Sequence, residues 1–156
     1  MLLAYRLVRL IEAHSEQLAC NLLERVRDSD KTSAYLTHVP QHELQSRVSE
    51  IYRNLGEWLL GKTESDVQHR YEEIGGRRAR QGVPLSQLVS ALVLTKDTLW
   101  EFLLKEAAVE RPVEVFGELE LLQLLEQFFD RAIYYACAGY ERAAAPQTVG
   151  AHHGAA

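Results

Sequence analysis

Cysteine is scarce in this chain, and the two present, Cys20 and Cys137, stand far apart and outside any Cys-X-X-Cys spacing. That excludes a small fold held by disulfides, a dithiol redox motif and the usual structural zinc pattern. Both thiols are expected to be buried. Basic charge is also short: 17 Lys and Arg stand against 22 Asp and Glu, for a formal charge of -5. Phosphate attraction needs a concentrated basic surface, so nucleic acid is not an expected partner. Nowhere does an apolar run approach the roughly 20 residues of a membrane-spanning helix. The start, Met1-Leu2-Leu3-Ala4, is followed quickly by Arg6, Arg9 and Glu12, unlike an export signal. No membrane insertion and a cytoplasmic location are the expectations. Gly75-Gly76 lacks the strand-to-helix context and the Lys-Ser or Lys-Thr ending of a phosphate loop.

What the chain does have is apolar residues at helical spacing. With 156 residues, 47% of them apolar, it is long enough for one domain with a substantial core. Leu7, Ile11, Leu18, Leu22 and Val26 predict a first helix over about residues 3 to 28, weakened at Asp28-Ser29-Asp30. A short helical turn is expected around Ala34 to Thr37. A helix from about Pro40 to Leu60 follows, with Pro40 in its first turn, Leu44, Val48, Ile51, Leu55 and Trp58 buried, and Gly61 as its stop. Thr63 with Asp66 reads as a capping box for a helix reaching about Gln81. Within that helix Gly75 and Gly76 predict a close helix crossing. Gly82 ends it, and Pro84 with Ser86 opens a central helix carrying Leu85, Leu88, Val89, Leu92, Leu99 and Leu103, with Val93, Leu94 and Trp100 widening its apolar surface.

A last helix over about 113 to 143 presents two apolar sectors. Leu119, Leu122, Leu125, Phe129 and Ile133 are expected to complete the core. Leu121, Leu124, Phe128 and Tyr135 are expected on a second sector that meets a partner subunit. Residues 144 to 156 read as a flexible extension. The fold class is therefore all-α, one domain over residues 1 to 143 followed by a tail, with no repeat.

Chemistry-bearing residues form no catalytic pattern. His14, His38, His42 and His69 are loose metal candidates, and Pro40 between His38 and His42 spoils a two-ligand helix face. His152-His153 lies in the expected tail. Glu72-Glu73 and Glu118 with Glu120 do not converge on one helix face, and no nucleophile, base and oxyanion set is legible. No enzyme activity, cofactor or metal is expected. Arg77, Arg78 and Arg80 form the one local basic group, suited to an anion or a partner carboxylate, with an internal ion network to Glu72 and Glu73 as the simpler expectation.

Leu10-Ile11-Glu12-Ala13-His14, Arg77 through Val83 with Leu85 and Leu88, and Phe129-Asp130-Arg131-Ala132-Ile133-Tyr134-Tyr135 carry a resemblance to the N-terminal regulatory domain of the RsbR co-antagonist family, over about residues 5 to 143. The resemblance implies a non-haem, globin-like helical fold, dimerisation, and signal reception on behalf of a STAS-domain or histidine-kinase effector. Ile74 through Val83 is also similar to the proximal-histidine segment of globin-coupled sensors, where the iron ligand falls at the position of Arg78. A charged guanidinium cannot readily replace neutral imidazole on iron.

The expectation is a non-catalytic regulatory module in signal transduction, acting as a homodimer by rearrangement of its last helix. A small-molecule- or haem-binding sensor, including one with an unidentified small ligand, is the alternative that ligand retention on purification discriminates. A purely structural dimerisation domain is the third, favoured if no ligand alters stability.

Overall fold

The helix expected over the first 28 residues is two helices, α1 (Leu2–Ala13) and α2 (Ser15–Asp28), which meet at His14. The computed structural model describes the backbone at residues 2–106 and 112–145, and side chains at 6–105 and 119–145. The break has a local cause. The His14 imidazole Nδ1 lies 2.9 Å from the Leu10 carbonyl, the acceptor an uninterrupted helix would assign to the His14 N–H, and that N–H turns to the Ile11 carbonyl at 3.0 Å. A side chain that captures the i−4 carbonyl competes with the helical ladder. The apolar stripe nevertheless continues across the break: Leu7, Ile11, Leu18, Leu22 and Val26 are all buried.

A 3₁₀ turn (Asp30–Thr32) and the single-turn helix α3 (Tyr35–His38) lead to α4 (Gln41–Arg53). Pro40 caps α4 from outside rather than sitting in its first turn; its extended ψ of 138° precedes the helix while its carbonyl accepts from Leu44 N–H at 3.1 Å. The expected run to Leu60 is interrupted too. After Asn54 the chain passes into a π-helical turn (Glu57–Gly61), closed by Lys62 N–H to the Glu57 carbonyl at 2.7 Å. Close approach to α1 accompanies the change: Gly56 N–H donates to the Glu12 carboxylate at 3.0 Å, and Leu55 is fully buried.

The Thr63 capping box is present as the sequence predicts. Thr63 N–H donates to the Asp66 carboxylate at 2.9 Å and Asp66 N–H to the Thr63 hydroxyl at 3.2 Å, opening α5 (Glu64–Arg80). Gly82, at φ +82°, supplies the left-handed turn that ends α5 and allows α6 (Leu85–Glu106) to begin after Pro84. The last helix is α7 (Pro112–Ala144). Of the tail expected over residues 144 to 156, Ala144 is the last residue of α7 instead, and residues 146 to 156, His152-His153 included, lie outside the described residues.

α5 and α7 form the most extensive helix pair, with α1 also against α7 and α2 against α4 and α6. The glycine expectation holds and is sharper than the sequence predicts. A methyl group on Gly75 would overlap the Ala136 carbonyl oxygen, and one on Gly139 the Glu72 carbonyl oxygen, so the two backbones touch. That crossing sets the rotation of α7. Ala132, Ala136 and Gly139 continue, at helical spacing, the stripe of Leu121, Leu125 and Phe128, and this sector turns inward. Leu119, expected in the core, is 56% exposed instead, and Leu122 and Ile133 are only half-buried.

Trp58, Tyr71, Phe128 and Phe129 make a continuous aromatic cluster, with centroids 5.2 to 6.4 Å apart, binding the π-helical turn to α5 and α7. Cys20 is exposed and Cys137 half-buried, so neither is the sealed thiol expected. The architecture is an all-α bundle consistent with a globin-like fold, with no strand among the described residues.

Candidate functional site: a buried arginine cluster

The last turn of α5 places consecutive arginines in opposite environments. Arg77 points outward, whereas Arg78, one residue and about 100° further around the helix, is only 2% exposed. Burying a guanidinium requires acceptors. Arg78 Nε donates to the Tyr35 hydroxyl at 2.9 Å, and one terminal nitrogen donates to Glu43 Oε1 at 2.8 Å and to Gln81 Oε1 at 2.7 Å. Its charge also lies 5.7 Å from the centre of the Tyr35 ring.

Glu43, in the first turn of α4, is the hub. Its Oε1 receives Arg77 Nε at 2.5 Å as well as Arg78, its Oε2 receives a terminal Arg77 nitrogen at 3.0 Å, and Gln81 Nε2 donates to Oε2 at 3.2 Å. Two guanidiniums on one carboxylate hold it ionised. Hydrogen bonds from Arg77 first, then Arg78, lower its pKa from 4.5 to about 2, against an opposing contribution from desolvation. Burial pushes the Tyr35 hydroxyl above its ordinary range, with Arg78 partly offsetting that effect, so Tyr35 stays a neutral phenol. Among the described residues, no buried side-chain nitrogen or oxygen lacks a partner.

The ion network therefore joins α5 to α4 rather than closing within α5. Glu73 is exposed, and Glu72 pairs with Arg142 of α7 at 3.0 Å. Arg80 lies exposed at the helix end and takes no part in the hydrogen bonds of the cluster. Of the three arginines singled out by sequence, two converge and one stands apart. Tyr35, Glu43 and Gln81 were not recognisable beforehand: Glu43 lies 35 positions before Arg78 in the chain, and only the packing of α4 on α5 brings them together.

The four residues expected on an outer face of α7 divide similarly. Leu121 and Phe128 are buried within the chain, a correction that follows from the glycine-set rotation of α7. Leu124 is half-buried beside Trp58 and Lys62, and Tyr135, also half-buried, donates its hydroxyl to Glu64 at 2.6 Å.

Arg78 also borders a cleft of about 40 Å³ lined by Leu22, Leu44, Tyr71, Leu88 and Leu92 among others. That is room for water-sized guests, against the roughly 300 to 1,000 Å³ of small-molecule pockets. At the position where a globin-coupled sensor carries its iron ligand stands a guanidinium already bonded to three neighbours. These residues do not fit a haem. No group of three or more His, Cys, Asp or Glu side chains placed to hold a metal ion occurs among the described residues.

A helical bundle whose buried charges are engaged with one another is an all-α domain with a structural charge cluster. Residues 16–152 match the RsbT co-antagonist protein rsbRD N-terminal domain, and the chain belongs to that family. Membership of that co-antagonist family gives this chain a regulatory or sensory role in signal transduction. Comparison with curated proteins and with solved structures gives no match. No described helix is long and apolar enough to cross a membrane.

Proposed function

We propose that this domain is a non-catalytic input module that self-associates through α6 and α7 and passes its state to a STAS-domain or histidine-kinase effector by reorienting α7. The observation that carries the reading is an apolar face that the core leaves partly in water. On α6, Val93, Trp100 and Leu104 recur at i, i+7 and i+11, and Leu104 is 76% exposed. On the neighbouring surface of α7, Leu119, Leu122 and Ile133 are exposed or half-buried. Trp100 Nε1 donates to Glu126 at 3.1 Å and Lys96 pairs with the same carboxylate at 3.5 Å, which places both stripes along one seam. A second copy laid on this seam would cover apolar surface that the single chain leaves in water. Self-association here replaces the Leu121 and Phe128 surface expected from sequence.

α7 is suited to carry a signal because its second half is firmly tied to α5 and to the turn that follows it. Arg131 and Tyr135 hold Glu64, Arg142 holds Glu72, and Tyr140 donates to the Val83 carbonyl at 2.6 Å. A signal needs two states that a ligand or partner stabilises unequally. Pulsed dipolar EPR tests the proposal, using a spin label at the exposed position of Glu141 with Cys20 and Cys137 replaced by Ser. The expected result is a defined intermolecular distance that shifts when an effector domain is attached. Absence of any intermolecular distance would refute self-association, and a distance indifferent to the effector would refute transmission.

A further inference from the structure

The seam between α2 and α6 is apolar where Leu22 and Val26 approach Leu88, Ala91 and Leu92, and turns polar towards its other end. Where two amphipathic helices meet, facing positions are normally apolar. Here the α2 side presents His14, Gln17, Asn21 and Arg25, at helical spacing, to Glu101, Phe102 and Lys105 of α6, around a groove of about 240 Å³. Leu18 and Thr98 form its buried base.

Two of these groups are held in place. His14 is fixed from two sides, by its Nδ1 at 2.9 Å from the Leu10 carbonyl and by the Phe102 ring, 5.3 Å between centroids. With Nδ1 serving that carbonyl as donor, Nε2 is left for another partner. Arg25 is oriented by an ion pair with Glu101. Gln17, Asn21 and Lys105 have no hydrogen-bond or ion-pair partner among the described residues. Arg25 and Lys105 against Glu101 leave one net positive charge in the groove, on a chain whose formal charge is -5. Unpartnered donors at Gln17, Asn21 and Lys105, beside a surplus positive charge, favour a small anion that also accepts hydrogen bonds.

We infer that the α2–α6 groove is a binding site for a small organic anion, one carrying a carboxylate or phosphate group that takes Lys105 and Arg25, with a polar body reaching the Gln17 and Asn21 amides. Binding is independent of the regulatory reading; only its use as the stimulus of the module rests on that reading. An occupant would bridge α2, next to the helix break, to the end of α6, the helix that shares a seam with α7.

The test is calorimetric titration of the full chain with sodium phosphate and, separately, sodium succinate, at constant ionic strength against sodium chloride. Saturable one-to-one binding of at least one probe is expected, weakened roughly tenfold or more by Lys105→Gln, which removes a charged donor. Asn21→Leu, an exposed change compatible with the helix, should weaken it as well by filling the groove. Lys62→Gln, outside the groove, should leave it unchanged. No saturable heat with either probe would overturn the site, as would binding that both groove variants leave intact. Binding that succeeds while effector attachment leaves α7 unmoved would retain the site and reject its regulatory use.

Discussion

Arg78 Nε lies 2.9 Å from the Tyr35 hydroxyl, a bond across 43 positions of sequence that ties α5 to the short helix α3. Tyr35→Phe keeps the ring and removes the acceptor, leaving a buried donor unpaired. The expected loss is about 1–3 kcal/mol of unfolding free energy. Urea denaturation measures it, and an unchanged midpoint would mean that Arg78 finds another acceptor.

Removing the hub should matter more than removing either exposed arm. Glu43→Gln leaves Arg78 buried without its counter-charge, with an expected loss of about 3–5 kcal/mol. Arg77→Gln breaks a solvent-exposed pair, and its expected loss is much the smaller of the two. Equal effects from the two substitutions would contradict the placement of Arg78 inside and Arg77 outside.

The same hub sets a pH dependence. Because the folded-state pKa of Glu43 is lowered to about 2 from 4.5, its contribution is complete above about 4.5 and is lost as pH falls through about 2. The stability difference between the wild-type chain and Glu43→Gln should therefore shrink over that window. Denaturant titrations at several pH values check it; a difference that stays constant down to pH 2 would reject the ion network as the cause.

The α5–α7 crossing makes neighbouring glycines behave oppositely. Gly75→Ala and Gly139→Ala drive a methyl group into a backbone carbonyl, and a loss of at least about 1–3 kcal/mol is expected. Gly76→Ala meets mainly the flexible end of the Arg80 side chain at 3.3 Å and gains helix propensity, so its effect should be near neutral or stabilising by up to about 1 kcal/mol. Thermal denaturation of the three variants separates the cases.

Much of this fold is legible in the sequence because its determinants are local. Thr63 with Asp66, Gly82 before Pro84, and the Leu88-Leu92-Leu99-Leu103 stripe state helix limits and faces within a few residues. The break at His14 and the π-helical turn were hidden because they depend on one imidazole choosing a carbonyl and on Gly56 approaching Glu12. The rotation of α7 was hidden for a related reason. Its two apolar sectors score alike by periodicity, and the choice between them is made by Gly75 meeting Ala136 and Gly139 meeting Glu72. Arg78 was marked by its position in the sequence, but its partners Tyr35 and Glu43 exist only in the folded chain.

Sedimentation velocity on the chain and on its Leu104→Glu and Leu119→Glu variants tests the central proposal most directly, since both leucines are exposed and neither holds the core of the single chain. The account predicts a dimer for the wild-type sequence and folded monomers for both variants. A monomeric wild-type chain at high micromolar concentration, or a dimer that neither substitution disturbs, would contradict it.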